Sequence, residues 1–327
     1  MNAAITATAK YLPERILSNF DLEKMVDTSD DWIRSRTGID TRRLVSQGQS
    51  SADMATEVAK ILLEKSGTKS DEVDLIIIAT ITPDTLFPST AARVQNNIKA
   101  QNCWGFDLSG ACTGFLYALE SGARFVESGD YKKVLVIGVD TMSSIIDYTD
   151  RNTCVLFGDG AGGVLLEPTE SENGFLDALL RIDGSGGNSL IMPGGGSLHP
   201  SSIDTVNKKM HYVQQDGQTV FKFAVKGMAD ISSDILKKND FTGDDIKLFI
   251  PHQANKRIID AAAKRCKISS DRVLINIHKY GNTTAATIPI GLDEAVSDGL
   301  LTEGDIVLTA SFGAGFTWGS MLIRWGI

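Results

Sequence analysis

The chain has 327 residues, 42% of them hydrophobic and 22% charged, the make-up of a globular protein with a large core rather than of a disordered or fibrous one. A net charge of −9 argues against non-specific binding to nucleic acid or to an anionic membrane. Cys103, Cys112, Cys154 and Cys266 form no CxxC pair, so neither a zinc site nor a disulfide scaffold is expected, and the expected compartment is a reducing one, the cytoplasm.

The first twelve residues lack a basic stretch followed by a long apolar core, so no signal peptide is expected. Ser50 or Ser51 can cap a helix over 52–65 that Gly67 ends. Ala52, Ala55, Val58, Ala59, Leu62 and Leu63 fall on one face of it. Leu75–Ala79 is the longest apolar run, far too short to span a bilayer. Together with 103–108, 134–139, 164–166, 248–250, 273–277 and 306–309, it predicts buried strands. Helices are expected near 89–98, 113–128, 219–238, 254–266 and 283–297, and the alternation predicts a layered α/β fold. Residues 184–216 read as a long irregular loop of the kind that often carries function.

An internal echo organises these elements. Ile78 and Ile250 each end an apolar run that leads into a turn and a helix, and Val134 and Ile306 each open one that follows a helix. The two pairs are separated by the same number of residues. Equal spacing predicts two similar halves, 1–170 and 171–327, and puts Cys112 and the Asn282–Thr284 segment at equivalent helix starts.

Three side chains stand out. Cys112 lies where a strand-like run gives way to a helix-like one, among Gly110, Ala111 and Gly114. Unpaired N–H groups and the positive helix end favour a thiolate there, although a buried structural thiol fits the same residues. His252 directly follows a buried run, where α/β folds place functional groups; His199, His211 and His278 sit in loop-like or polar contexts. Asn282 can cap a helix or donate a side-chain N–H to a developing oxyanion. Gly158 to Gly163 matches GxGxxG but leads into a strand, not a helix, so it reads as a turn rather than a dinucleotide site.

Several ordered blocks carry a resemblance over essentially the whole chain: 28–33 with 36–39, 110–115, 150–151 with 157–162, 251–255 with 257–259, 281–283 and 312–319. In these the chain resembles the β-ketoacyl-acyl-carrier-protein synthase III family, the initiating condensing enzymes of dissociated fatty-acid synthesis. The resemblance implies a thiolase fold, a five-layered αβαβα sandwich of two duplicated halves, in a homodimer without a cofactor. It implies Cys112, His252 and Asn282 as the catalytic set, an acyl-CoA and malonyl-acyl carrier protein as substrates, and an oxyanion hole from the backbone N–H groups of Cys112 and Ala314. It further implies CoA contacts at Thr28, Trp32, Arg36, Arg151, Ala254 and Asn255, with the adenine between Trp32 and Arg151. Phe87 would close the acyl pocket across the dimer and favour a small primer such as acetyl. Lys222, Gln253, Arg257 and Arg265 would meet the carrier protein, with Lys256 and Lys264 as further basic candidates. A second catalytic cysteine would mark a thiolase and a second histidine an elongating synthase; Asn282 stands in their place. Thr113 and Ala314 depart from the commonest family pattern, and only a negative φ is needed for alanine to serve at 314.

Overall fold

The computed structural model describes residues 2–327. Two sheets lie at its centre. The first has the strand order Asn2–Tyr11, Gly160–Thr169, Val134–Asp140, Leu75–Ala79, Trp104–Leu108; its last three strands run parallel and the Gly160 strand is antiparallel to both neighbours. The second has the order Gly174–Ile182, Thr317–Arg324, Ile306–Gly313, Leu248–Pro251, again with a parallel pair beside antiparallel ones. Strand for strand the second sheet repeats the first. The place of a fifth strand is taken by a single bridge from Phe249 to Val273.

Helices Gly114–Glu127 and Thr287–Ser297 fill the space between the sheets, and their apolar residues share one core with the inner faces of both. Helices Ser51–Ser66 and Thr90–Ile98 cover the outer face of the first sheet. Helices Gly217–Lys238 and Lys256–Cys266 cover that of the second. The result is the five-layered αβαβα thiolase fold. Position in the layers explains composition. Leu75–Ala79 is buried at every residue, as a parallel strand covered on both faces must be. Thr287 to Ala295 is buried without interruption, because a helix between two sheets has no solvent face. The outer Ser51–Ser66 helix instead has one apolar face, a Ser50–Asp53 capping box and a left-handed Gly67 at its end, as its sequence predicts.

The glycine run at 158–163 is a strand entry, and packing explains its composition. A Cβ on Gly162 would lie 2.7 Å from the Ile290 backbone nitrogen, so glycine lets the Thr287–Ser297 helix settle directly on the sheet.

The structure corrects two expectations. Residues 273–277 are not a strand: Val273 makes one bridge and Ile277–Tyr280 is a helical turn. The segment 184–216 is not irregular throughout, since it holds the helix Ile203–Asn207 and a two-stranded ribbon of Leu190–Ile191 with Gln214–Gln215. Strands Asn2–Tyr11, Gly174–Ile182 and Thr317–Arg324 lie outside the predicted set, because alanine, threonine, glycine and charged residues interrupt their apolar pattern. Among the described residues, no helix is long and apolar enough to cross a membrane.

Candidate active site

Cys112 sits in the short 3₁₀ turn Ala111–Thr113 between strand Trp104–Leu108 and helix Gly114–Glu127. Ala111 takes the left-handed conformation there, with φ 47°. In the other half, the turn Thr284–Ala286 precedes helix Thr287–Ser297, and Thr284 has φ 49°. The duplication thus reproduces a strained backbone feature at both helix starts, and such strain persists where surrounding structure over-determines it. Against the second of these turns lies the carboxylate of Asp140, fully buried at the end of its strand. It accepts from Ile81 N at 2.8 Å, Thr82 Oγ1 at 2.9 Å, Thr80 Oγ1 at 3.1 Å and Thr82 N at 3.2 Å in one half. From the other half it accepts the Ala285 N–H at 3.3 Å and the Thr284 hydroxyl.

Cys112, His252 and Asn282 line one cavity of about 450 Å³. A second lobe of about 430 Å³ also reaches Cys112, lined by Ile81, Met142, Ile145, Met192 and Val213 among others. Cys112 therefore stands where the two lobes meet. Ser311 Oγ donates to its carbonyl at 2.8 Å. Gly313 passes so close that a Cβ there would lie 2.8 Å from the Cys112 nitrogen. Ala314 lines the second lobe together with Gly110, Ala111 and Cys112 and is not among the left-handed residues, so alanine is unstrained at that place. The Thr113 hydroxyl turns away to the Thr317 carbonyl at 3.2 Å and lines neither lobe.

His252 is buried, with its Nδ1 2.7 Å from Thr287 Oγ1 and its Nε2 without a partner. Burial drives its pKa down to about 3, so the ring is neutral. Asn282 is held through its own amide: Oδ1 accepts the Thr284 N–H at 2.9 Å, and its backbone pairs with Leu156 and Gly158. With Oδ1 engaged, Nδ2 is the group left for the cavity and for Cys112.

Burial pushes the Cys112 thiol up to about 12, and Asp140 adds to the rise; the Cys112 N–H and the Asn282 side chain oppose it. The resting thiolate expected from the helix start alone is thus overridden by desolvation. Thiolate content then rises with pH throughout the ordinary range. Alkylation of Cys112 by iodoacetamide in unliganded enzyme is expected to accelerate about tenfold per pH unit, with no plateau near the free-thiol value of about 8.5. Peptide mapping of the labelled cysteine checks this, and a plateau near neutrality would show a thiolate already formed.

Trp32 and Arg36 line the first lobe; the Arg151 guanidinium, outside that lining, lies 4.3 Å from the centre of the Trp32 ring, and that of Arg36 lies 5.9 Å away. A third ring inserted between indole and guanidinium needs about 7 Å, twice a van der Waals contact, so Arg151 must move aside for an adenine to enter. Asn255 caps helix Lys256–Cys266 and donates from Nδ2 to the Arg36 carbonyl at 2.9 Å. It therefore ties the Trp32 segment to the second half, with Ala254 beside it on the cavity wall. Thr28 lies outside the cavity lining, its hydroxyl buried and unpaired.

Lys222 and Arg257 are exposed; Arg257 lines the first lobe and stacks 5.1 Å over Phe221. Arg265 pairs with Asp230 at 3.1 Å and Lys256 with Asp260 at 2.7 Å, and Lys264 is exposed. Gln253 departs from the expected set. It is 1% exposed and meets no surface partner. Its Nε2 donates to the carbonyls of Pro251 (2.8 Å) and Leu274 (3.1 Å), and its Oε1 accepts the N–H groups of Asn276 and Ile277, both at 3.1 Å. One side chain thus satisfies the backbone that a fifth strand would have paired, which is also why 273–277 needs no ladder. Phe87 is 86% exposed and lines neither lobe of its own chain.

Sequence reasoning passed over Asp140, Thr287, Ser311 and Gly313 as participants. The legible signal was a lone acid ending the apolar run Val134 to Val139; Gly313 lies in a block read for Ala314, while Thr287 and Ser311 lie just outside the blocks.

Comparison with known proteins identifies the family. Family models for 3-oxoacyl-[acyl-carrier-protein] synthase III match residues 106–184, and for its C-terminal part residues 236–325. A β-ketoacyl-[acyl-carrier-protein] synthase III of Chlorobaculum tepidum is 56% identical over 99% of this chain and 100% of its own length. One of Koribacter versatilis is 55% identical over 99% and 98%. The crystal structure of the Aquifex aeolicus 3-oxoacyl-[acyl-carrier-protein] synthase III superposes with a TM-score of 0.91 at 43% identity, covering 99% of this chain and 100% of that one. With its two-turn cysteine site inside a duplicated sandwich, the chain belongs to the β-ketoacyl-acyl-carrier-protein synthase III family, condensing acyltransferases that initiate fatty-acid biosynthesis.

Proposed function

We propose that Cys112 takes an acyl group from a short acyl-CoA, acetyl-CoA foremost, and passes it to malonyl-acyl carrier protein. In the first stage the Cys112 sulfur bonds to the thioester carbonyl, the CoA sulfur leaves, and the thiol proton ends on CoA. The oxyanion of that step is met by the backbone N–H groups of Cys112 and Ala314. In the second stage the malonyl group loses CO₂. His252 Nε2 and Asn282 Nδ2 donate to the thioester oxygen while enolate charge develops on it. The enolate carbon then bonds to the acyl carbonyl, the Cys112 sulfur leaves as thiolate and takes a proton from solvent, and 3-ketoacyl-acyl carrier protein is released.

The single observation that carries this reading is the joint placement of Cys112, His252 and Asn282 on one cavity, with the unpartnered Nε2 of a neutral imidazole among them. The first lobe, with Trp32, Arg36 and Asn255 on its wall and Arg151 against Trp32, suits the nucleotide of CoA. Lys222 and Arg257 offer a local basic patch to an acidic carrier, which the net charge of −9 would otherwise repel. A homodimer fits the exposed pair Leu86 and Phe87, at 85% and 86%, and the edge strand Trp104–Leu108 with Trp104 47% exposed; Phe87 would then cap the second lobe of the partner subunit. The proposed compartment is the cytoplasm.

A longer or branched primer is the second reading, favoured by the apolar lobe of about 430 Å³ behind Cys112 with its adaptable Met142 and Met192. Intact-mass spectrometry after mixing with a panel of acyl-CoAs decides between them. An acetyl adduct formed fastest, and lost in Cys112→Ala, is the expected outcome. A preferred longer adduct selects the second reading, and no adduct with any acyl-CoA would overturn both.

A further inference from the structure

We propose that Thr287 fixes the tautomer of His252: its hydroxyl donates to Nδ1 and so keeps the ring proton on Nε2, facing the substrate. Thr287 acts through His252 and is a positioning residue. The inference rests on the reading of His252 as a donor to the enolate.

Thr287 Oγ1 has one hydrogen and two neighbours that could receive it, His252 Nδ1 at 2.7 Å and the Thr284 carbonyl at 3.1 Å. The Thr284 carbonyl already receives the Thr287 backbone N–H, so it is satisfied without the hydroxyl. The shorter contact is to the imidazole, and that nitrogen has no other recorded partner. A neutral imidazole carries its proton on one nitrogen only, and the bond made by the other decides which. Were the hydroxyl turned to Thr284, Nδ1 would have to be the donor and Nε2 would present a lone pair to the cavity. A lone pair there would repel the negative thioester oxygen that decarboxylation creates. With the hydroxyl turned to Nδ1, Nε2 presents an N–H, and its lack of a protein partner is what a donor reserved for substrate requires.

The same turn sets the companion donor. The Thr284 N–H engages Asn282 Oδ1 and so turns Nδ2 outward. Residues 282–287 therefore polarise both N–H groups of the site: one by a backbone donor on an amide oxygen, the other by a hydroxyl donor on a ring nitrogen. Thr287 is itself buried, which shields its hydroxyl from bulk solvent.

The test uses the full-length enzyme labelled with ¹⁵N-histidine. Only four histidines occur, and His252→Ala assigns the relevant signal. The wild-type spectrum is expected to show the proton on Nε2, and Thr287→Val to shift it towards Nδ1. Thr287→Val should lower kcat for condensation by about 10- to 100-fold, as loss of an orienting partner commonly does, with the KM for malonyl-acyl carrier protein and the rate of Cys112 acylation little changed. Thr287→Ser, which keeps the hydroxyl, should restore condensation. A wild-type spectrum with the proton on Nδ1, wild-type condensation by Thr287→Val, or no rescue by serine would each overturn the proposal. Should His252→Ala condense normally while the spectra behave as expected, the tautomer assignment stands and the role given to His252 falls.

Discussion

Gly313→Ala is expected to cut acylation of Cys112 by about 10²-fold or more, the scale of losing one oxyanion donor, while the protein still folds. The added Cβ would lie 2.8 Å from the Cys112 nitrogen and 3.1 Å from both the Thr113 nitrogen and Thr317 Oγ1. Two of these neighbours are backbone and cannot swing away. The methyl therefore either covers the Cys112 N–H or pushes the nucleophile's turn out of register with Ala314. Overpacking of this kind costs about 1–3 kcal/mol of stability, which a urea titration measures separately from the acylation rate followed by intact mass. Ala314→Gly is the matched control. It alters the neighbouring residue but keeps the N–H, so acylation should stay near the wild-type rate. Normal acylation by Gly313→Ala would remove the Cys112 N–H from the oxyanion hole.

Asn282→Ala is expected to fail at the other stage. It leaves the Cys112 turn intact, so an acyl-enzyme should still accumulate on mixing with acyl-CoA. Decarboxylation of malonyl-acyl carrier protein, and with it condensation, should slow by about 10²–10³-fold, because one of two donors to the developing enolate is gone. Release of CO₂ in single-turnover experiments with pre-acylated enzyme is the direct readout. Blocked acylation with normal decarboxylation would reverse the assignment of the two stages. The opposite signatures of Gly313→Ala and Asn282→Ala separate the two ends of one cavity by chemistry alone.

Much of this architecture is legible in the chain because the layers impose their own patterns. Leu75–Ala79 announces a strand covered on both sides, Ser50 and Gly67 bracket an outer helix, and the equal spacing from Ile78 to Ile250 and from Val134 to Ile306 exposes the repeat. Cys112, His252 and Asn282 each sit at the end of such an element, which is why their neighbourhoods could be read locally. What escaped depends on contacts between distant segments. The strand Thr317–Arg324 is recognisable only once Ile306–Gly313 lies beside it. Gln253 reads as a polar surface residue until Leu274, Asn276 and Ile277 close around it. The state of the Cys112 thiol follows from how deeply two halves bury it beside Asp140, and a local rule about helix starts carries no term for that.

The matching left-handed residues Ala111 and Thr284 have a consequence for how such a site can diverge. Two copies of a single half, joined as identical subunits, would be obliged to carry the same side chains at both turns. Fusion into one chain lifts that obligation while leaving the backbone template untouched. One turn is then free to specialise in bond formation and the other in holding charge, and direct packing of the two turns keeps the specialised pair in alignment, while Asp140 ties the second turn to Thr80, Ile81 and Thr82 of the first half. A substitution at 284 should accordingly disturb the two stages together, although Thr284 is neither the nucleophile nor a donor to substrate.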